Sequence, residues 1–269
     1  MDIVTLKDLT FHYGNQIVLK KLNLTIQQGT FLTVLGPSGS GKTTLLQLLL
    51  GMQKAQEGQI LIENDLLDIQ HMKEIRSMMG FVCDLSSHYF TANTVASELA
   101  FVLENLCYPK QEMKERINEV ATLFGIDDLL EASPQALNCS EKQIVAFASA
   151  LVHHPKILLL DEAFYGMNSY DIEKVFRILK KLNREEDLTI ICATSNVEYS
   201  LYGKEILVLK NGKVFLYGKK QDVLQEEKKL KQASLELPFM ADLSHKLSYY
   251  GLVDKPIYNM SRMVKHLWK

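Results

Sequence analysis

A glycine-rich stretch near the N-terminus has the composition of a phosphate-binding loop. Residues 36–43 read GPSGSGKT and match the pattern Gly-x-x-x-x-Gly-Lys-Ser/Thr without a mismatch. The apolar segment 31–35 precedes this loop, and a helical pattern over 43–50 follows it. In that context the backbone N–H groups of the loop and the positive end of the helix dipole face an anion. The stretch therefore predicts a nucleotide site rather than a chance glycine- and serine-rich loop.

The residue types within the loop indicate separate roles. Gly36, Gly39 and Gly41 let the backbone turn so that its N–H groups face phosphates. Lys42 is expected to reach the β- and γ-phosphates, and the Thr43 hydroxyl is expected to bind Mg²⁺. The expected nucleotide-binding residues are Tyr13, Gly36, Pro37, Ser38, Gly39, Ser40, Gly41, Lys42, Thr43 and Thr44.

Tyr13 is included because an aromatic ring about twenty residues before the loop could stack on the nucleotide base. The alternative is that Tyr13 is a core aromatic residue of the first strand. The sequence leaves both interpretations open.

A pair of carboxylates follows a second apolar segment. Residues 157–160 read ILLL and are followed by Asp161 and Glu162. In open α/β folds, ligands bind at the carboxyl ends of the strands. We expect Asp161 to hold Mg²⁺ through water and Glu162 to orient or deprotonate the attacking water. An acidic pair is common at strand ends, but its combination with the loop at 36–43 favours the catalytic interpretation.

The segments between these motifs predict an α/β fold with a mainly parallel central sheet. Strand patterns at 3–6, about 17–19 and 22–26 indicate an antiparallel N-terminal β layer, and residues 94–154 read as a helical insertion. A hairpin is expected at Asn211-Gly212, between strands 206–210 and 213–217. A short helical C-terminal tail completes the chain. We divide it into a domain at 1–220, with a helical subdomain at about 85–154, and an extension at 221–269.

The bulk composition disfavours several classes of protein. The formal net charge of the 269 residues is -2, so no overall positive field indicates nucleic acid as a partner. The four cysteines lack the paired spacing of a zinc site. No apolar run reaches the 18 residues of a membrane helix, and the first residues lack a signal-peptide pattern. We expect a cytosolic protein that reaches a membrane through a partner.

These motifs together resemble the ATP-binding subunit of an ABC transporter. The resemblance is carried over roughly 1–220 by FHYG with Tyr13, by GPSGSGKTT at 36–44, by the helical insertion and by KILLLDEA at 156–163. Residues 81–105, 237–252 and the final MVKHLWK are similar to energy-coupling-factor (ECF) importer ATPases. The resemblance implies a P-loop NTPase fold, ATP and Mg²⁺ as cofactors, and ATP hydrolysis with Glu162 as the catalytic residue.

The resemblance also implies partners. In that family two ATPase subunits close head to tail over two ATP molecules, each site combining one chain's phosphate loop with the other chain's signature turn. Closure drives a transmembrane coupling subunit, which works with a substrate-binding membrane subunit to import a vitamin or metal ion. The tail helps the ATPase subunits to pair. A peripheral location at the cytoplasmic face of the cell membrane follows, with residues 84–108, including His88, Tyr89 and Phe90, as a candidate contact.

Four positions depart from the family pattern. The family signature Leu-Ser-Gly-Gly-Gln is replaced by LNCSE at 137–141, where Ser140 could act as a helix cap and Glu141 adds a negative charge. Asp84 replaces a glutamine, Ser195 a histidine, and Asn168 an aspartate. A heterodimer with a different, intact ATPase is therefore expected, with ATP binding retained and hydrolysis slow in at least one site.

Two other functions compete with the transport ATPase. A catalytically impaired ATP-binding regulatory or scaffold protein of the same fold would bind ATP with negligible turnover. A P-loop kinase or GTPase is disfavoured because the chain has no Asn-Lys-x-Asp guanine motif.

Overall fold

Ten strands and ten α-helices form the part of the chain that this computed structural model describes, residues 1–84 and 90–268. The strands are β1 (Asp2–Tyr13), β2 (Gln16–Gln27), β3 (Phe31–Leu35), β4 (Glu57–Ile62), β5 (Asp65–Leu66), β6 (Met79–Cys83), β7 (Ile157–Asp161), β8 (Thr189–Thr194), β9 (Glu205–Lys210) and β10 (Lys213–Lys219). The helices are α1 (Lys42–Leu49), α2 (Met72–Ser77), α3 (Val95–Asn105), α4 (Lys110–Phe124), α5 (Cys139–Leu151), α6 (Ser169–Glu185), α7 (Lys220–Gln225), α8 (Glu227–Gln232), α9 (Phe239–Tyr249) and α10 (Met260–Leu267).

The N-terminal layer is an antiparallel sheet in the order β2-β1-β4-β5. The sequence predicts three short strands at 3–6, 17–19 and 22–26, whereas the structure has two continuous strands of twelve residues each. A register shift between Leu6 and Leu9 accommodates Asp8, and a second shift between Leu9 and Phe11 accommodates Lys21 on β2. The two residues adopt positive φ angles of 48° and 49°. Such bulges bend a strand without ending it, which explains why the pattern looks interrupted.

The central sheet is mainly parallel, as predicted, in the order β10-β9-β3-β8-β7-β6. Strands β6, β7, β8, β3 and β9 run parallel, and β10 returns antiparallel to β9 through Asn211-Gly212. Strands β3 and β8 are buried along their whole length, as expected for parallel strands covered on both faces. The sheet order places β3 and β7 on either side of β8, so their carboxyl ends meet at one edge.

The other helices of the helical insertion pack around α5. Ten of the thirteen residues of α5 are buried, which agrees with the apolar pattern on all sides of this helix. Phe147 of α5 contacts Phe164, which stacks on Phe176 of α6 at a centroid distance of 4.3 Å. The insertion is thereby attached to the central domain by a shared aromatic core.

The C-terminal tail is divided into short helices. The charged composition of residues 219–235 predicts a helical segment, and the structure divides it into two helices, α7 and α8, because Glu226 between them has non-helical backbone angles. Leu224 and Leu230 bury against Ile206 and Val208 of β9, so the tail covers one face of the central sheet. Pro238 precedes α9, as its role as a helix break predicts. Within residues 1–84 and 90–268, no helix is both long enough and apolar enough to cross a bilayer.

Candidate active site

The phosphate loop connects β3 to α1, and its glycines are required for two different physical reasons. Gly41 has φ of 103°, a left-handed conformation, and a Cβ there would lie 2.5 Å from Leu19 Cδ2. Gly36 has no unusual φ, but a Cβ there would lie 2.5 Å from the carbonyl oxygen of Leu209. Helix α1 begins at Lys42, one residue before the predicted start.

Lys42 is buried within this loop, with an exposed fraction of 8%. Its Nζ donates hydrogen bonds to the carbonyl oxygens of Gly36 at 2.7 Å and Pro37 at 3.3 Å. Burial lowers the pKa of Lys42, while the nearby Glu162 and Asp161 carboxylates raise it. A cation in such a partly dehydrated position interacts more strongly with phosphate than one in bulk water.

Two further observations indicate that the loop fits a triphosphate with magnesium. The Ser40 hydroxyl is buried and has no hydrogen-bond partner within the described residues, so it is available to a phosphate oxygen. Thr43 Oγ1 donates to Asp161 Oδ1 at 3.1 Å, although the two residues are 118 positions apart. Burial raises the pKa of Asp161, and the Thr43 hydrogen bond opposes that shift. Hydroxyl and carboxylate oxygens are the ligands that Mg²⁺ prefers.

Glu162 is held beside this loop by the end of the neighbouring strand β8. Its Oε2 accepts from Thr194 Oγ1 at 2.9 Å, and its Oε1 accepts from the backbone N–H of Ser195 at 2.6 Å. Its φ of 47° is uncommon for a residue other than glycine and indicates a constrained backbone. The sequence did not identify Thr194 as a site residue. The signal that could have identified Thr194 is its place as a hydroxyl residue at the end of a strand that is buried along its whole length.

Tyr13 lies at the surface and not in the core, so the core alternative is wrong. Its ring is 47% exposed, its hydroxyl donates to Gln47 Oε1 of α1 at 3.1 Å, and Phe11 packs edge-on against it. Base stacking by Tyr13 stays a prediction. In the remainder of the expected set, Ser38 is exposed, Pro37 is half-buried, and Thr44 is buried on α1.

The segment that replaces the family signature forms a capped helix start. Asn138 Oδ1 accepts from the Glu141 N–H at 3.0 Å, and Glu141 Oε2 accepts from the Asn138 N–H at 2.9 Å. The expectation that Ser140 caps this helix is therefore wrong. Asn138 has the extended backbone of a cap, and Glu141 three residues later completes a capping box. The Ser140 hydroxyl instead accepts from the N–H and Nδ2 of Asn168, at 3.1 Å each.

Asp84, another position that differs from the family pattern, is hydrogen-bonded to a residue of the site. The N–H of Asp84 donates to the carbonyl oxygen of Asp161 at 3.1 Å, just after β6. Gln143, which the sequence did not single out, is 1% exposed and donates to the carbonyl oxygen of Cys83 at 3.0 Å. This bond connects α5 to the strand that leads to Asp84. The signal for Gln143 was the single amide side chain of α5, directly before the apolar run at 144–148.

The candidate membrane contact is described only in part. His88 and Tyr89 lie outside the described residues. Phe90 is half-buried and packs against the hydrophobic core of the helical insertion.

Comparison with known proteins identifies relatives of this chain. The sequence profile of the family described as "ABC transporter" matches residues 19–165. The energy-coupling factor transporter ATP-binding protein EcfA1 of Oenococcus oeni is 31% identical over 272 residues, covering 100% of this chain and 98% of that protein. The structure of cbiO1 from Clostridium perfringens, described as part of the ABC transporter complex cbiONQ, has a TM-score of 0.78 at 28% identity. It covers 91% of this chain and 99% of that chain.

A second solved structure is a dimeric ATP-binding cassette in a post-hydrolysis state, bound to ADP and Pi. It has a TM-score of 0.71 at 29% identity and covers 81% of this chain and 99% of that chain.

Proposed function

The chain belongs to the ABC transporter family, among relatives that include ECF-type ATP-binding proteins, and from that membership we propose its specific task. It is the ATP-binding subunit of an ECF-type importer and couples ATP binding and hydrolysis to uptake of a small molecule. A vitamin or a metal ion is the proposed class of cargo, carried through a transmembrane coupling subunit and a substrate-binding membrane subunit. The chain acts peripherally, at the cytoplasmic face of the cell membrane.

One observation carries this proposal: residues from two segments far apart in the sequence converge at one edge of the central sheet. Lys42 and Thr43 begin α1, Asp161 ends β7 within hydrogen-bond distance of Thr43, and Glu162 follows directly. A phosphate loop, an oxygen pair and an adjacent carboxylate are the parts that phosphoryl transfer to water requires.

Each residue has a distinct part in the proposed hydrolysis. The loop N–H groups and Lys42 bind the β- and γ-phosphates and stabilise charge that develops on the transferred group. Thr43 and Asp161 would hold Mg²⁺, directly or through water, and the bound ion would offset phosphate charge. Glu162 would orient the attacking water and accept its proton. The Thr194 hydroxyl and the Ser195 N–H keep the Glu162 carboxylate in a defined orientation.

A different ATPase subunit is the proposed partner. The Asn138 and Glu141 N–H groups bond within the chain, and the Nδ2 of Asn168 is bonded to Ser140 and Asp171. These groups are therefore less available to a nucleotide held by a second subunit. In a homodimer both nucleotide sites would include the altered segment 137–141. With a partner that has an intact signature, only one of the two sites would include it. The proposed assembly is a heterodimer with one slow site.

The test compares two variants of this chain within the reconstituted transporter. Lys42→Ala should abolish ATP binding to this subunit, because the buried cation among the phosphate-binding groups is lost. Glu162→Gln should retain ATP binding, lower ATP turnover by about 100-fold at this site, and trap a closed dimer. Equilibrium binding of labelled ATP, turnover and light scattering report these effects. Lys54→Ala, which changes an exposed lysine outside the site, is the matched control.

The second candidate function is a regulatory or scaffold subunit that binds ATP without hydrolysing it. The observation favouring it is the departure of residues 137–141 from the family signature, with its N–H groups bonded inside the chain. If turnover of the whole complex is the same with Glu162 and Glu162→Gln, this site does no chemistry and the second candidate replaces the first. Failure of the wild-type chain to bind ATP, alone and assembled, would exclude both.

A further inference from the structure

A cavity of about 760 Å³ lies between the C-terminal tail and the segment that follows β8. We call it the tail cavity. One wall is the 3-10 helix Val197–Leu201, and a second is the tail from Pro256 to His266. Lys180 of α6 and Lys220 of α7 also line it. Its volume is that of a site for a small ligand. No residue of the phosphate loop and neither carboxylate of the active site lines it.

The lining of the tail cavity carries an excess of positive charge. Its basic side chains are Lys180, Lys220, Arg262, Lys265 and His266. Glu198 is the acidic side chain in the lining, and its Oε1 already accepts from the N–H of Phe239 at 2.6 Å. Within the described part of the chain, none of the five basic side chains forms an ion pair. Unpaired cations that converge on a concave surface favour an anionic ligand.

The two lysines of the cavity are partly removed from water. Burial lowers the pKa of Lys220 to about 8, and the positive charge of Lys180 contributes to that shift. Burial also lowers the pKa of Lys180. Lys220 Nζ donates to the carbonyl oxygen of Leu201 at 2.7 Å, which fixes the position of its ammonium group. An anion between the two lysines would raise both pKa values, because an opposite charge stabilises the ammonium form.

The aromatic lining does not indicate a stacked base as the ligand. Tyr202 stacks on Phe176 at a centroid distance of 3.8 Å, and Lys180 Nζ lies over the Tyr202 ring at 4.7 Å. That ring is thus already in contact with two side chains of α6. The Tyr258 hydroxyl is buried and has no hydrogen-bond partner within the described residues, so it is an available donor. The cavity therefore offers cations and a hydroxyl, a combination suited to phosphate oxygens.

We propose that the tail cavity is a binding site for a small phosphate-bearing anion, held by Lys180, Lys220 and Arg262, with the Tyr258 hydroxyl as a further donor. A guanidinium group can bind two phosphate oxygens at once, and ammonium groups add point charges around them. The site is separate from the ATP site in position and in residues. Its existence does not depend on the transport function.

The test measures binding of inorganic pyrophosphate to the full chain by titration calorimetry. The chain carries Lys42→Ala, so that the phosphate loop does not contribute. We expect one saturable site, and addition of Lys180→Ala with Arg262→Ala should weaken it at least about tenfold, because each change removes a charged hydrogen-bond donor. Lys181→Ala is the matched control, since it changes the adjacent lysine of α6, which does not line the cavity. It should leave binding unchanged. Thermal unfolding of each variant verifies that the fold is retained.

A second measurement isolates Lys220. At pH 8 its ammonium form is only partly populated, so binding should draw a proton onto the side chain. Lys220→Arg keeps the charge but does not titrate near this pH. Calorimetry in buffers of different ionisation enthalpy gives the number of protons taken up on binding. This number should be smaller for Lys220→Arg than for the chain with Lys220. The difference reports on Lys220, because the ionisation of pyrophosphate contributes equally to both.

Three results would overturn the proposal. The first is the absence of saturable pyrophosphate binding in the Lys42→Ala chain. The second is an equal loss of affinity in Lys181→Ala and in Lys180→Ala with Arg262→Ala, which would show a diffuse charge effect. The third is equally tight binding of citrate, which would show that the cavity does not select phosphate.

Discussion

The carboxylate of Glu162 depends on two donors that belong to a different strand. Thr194 ends β8 and Ser195 follows it, while Glu162 follows β7. The donor at position 195 is a backbone N–H, so this bond does not depend on which side chain stands there. The side chain that positions Glu162 is therefore Thr194, whose own oxygen accepts from the N–H of Asn196 at 3.1 Å.

Thr194→Val should impair chemistry more than nucleotide binding. Valine keeps the branched shape in a fully buried position but cannot donate to Glu162 Oε2. We expect kcat of the assembled transporter to fall by about tenfold with little change in KM for ATP, since the bond orients the catalytic group rather than the nucleotide. Steady-state ATPase kinetics measure this split. Thr194→Ser, which restores a hydroxyl, should recover most of kcat, and no recovery would contradict a positioning role.

At the residue scale, motif spacing identifies part of the site. The pattern at 36–43 and the carboxylates after ILLL predict that Thr43 and Asp161 belong to one site, and the structure places their oxygens 3.1 Å apart. Thr194 could not be found in this way, because its contact with Glu162 depends on β7 and β8 being neighbours in the sheet. The capping role of Asn138 could not be predicted with certainty, because Asn138 and Ser140 are both favoured cap residues and the sequence does not decide which one begins the helix.

At the scale of single elements, the start of α5 shows how a changed motif retains a stable helix. The capping box between Asn138 and Glu141 satisfies two N–H groups that a helix terminus otherwise leaves without intrahelical partners. The segment 137–141 is thus a sound helix start, although it differs from the family signature.

Asn138→Ala should lower the free energy of unfolding by about 1 kcal/mol, the usual effect of removing a helix cap. Urea unfolding followed by circular dichroism measures it. Asn138→Asp is the matched control, because aspartate can accept the same N–H bond, and it should be nearly neutral. Equal destabilisation by both changes would show that the Asn138 cap is not the cause.

The turn after α5 introduces a dependence of stability on pH. His153 is 8% exposed, and its Nε2 must carry a proton because it bonds to the Met79 carbonyl oxygen at 3.2 Å. The opposite ring nitrogen is buried without a partner among the described residues. Burial lowers the pKa of His153 below its ordinary value of 6.5, with His154 and Arg116 adding to the shift.

The sign of this effect is destabilisation in acid. Below pH 6.5 the unfolded chain takes up a proton at His153 more readily than the folded chain does, so stability is lost as the pH falls through that value and below it. Urea unfolding at pH 7, 6 and 5 should give a smaller decrease in the free energy of unfolding for His153→Gln than for the wild type. His266→Gln, at an exposed histidine of α10, should leave the decrease unchanged. If it reduces the decrease as much as His153→Gln does, burial of His153 is not responsible.

Long regular elements were predicted more completely than short ones. The sequence of residues 110–124 predicts a helix with the same bounds as α4, because its apolar spacing is periodic over four turns. Strand β5 and helix α2 were not expected, since two and six residues do not establish a period. The division of the tail helix at Glu226 was also missed. No proline or glycine marks that position.

At the scale of the whole molecule, the proposed slow site depends on which subunit supplies each part. The phosphate loop and Glu162 lie in this chain, whereas the signature that completes its site would come from the partner. The degenerate segment at 137–141 would serve the partner's nucleotide.

A pure preparation of this chain should therefore bind ATP but hydrolyse it slowly, because every site it can form with itself would contain LNCSE. Addition of a second ATPase with the Leu-Ser-Gly-Gly-Gln signature, together with the membrane subunits, should raise turnover by at least about tenfold, since one site then has all its stabilising groups. Size-exclusion chromatography with ATPase assays measures both assembly and rate. A stable, fully active homodimer would contradict the heterodimer proposal.

The hydrophobic cluster formed by β9 and the tail limits which segments can be exchanged between related proteins. Leu35, the residue immediately before the phosphate loop, shares this cluster with Leu224, Leu230 and Leu235. Recombination that exchanged only residues 1–220 between two relatives would pair the sheet of one protein with the tail of another. The mismatched side chains would lie in the cluster that contains Leu35, which precedes the phosphate loop. We expect chimaeras of such proteins to be viable when the crossover falls beyond residue 241, because Ala241 is also buried in this cluster.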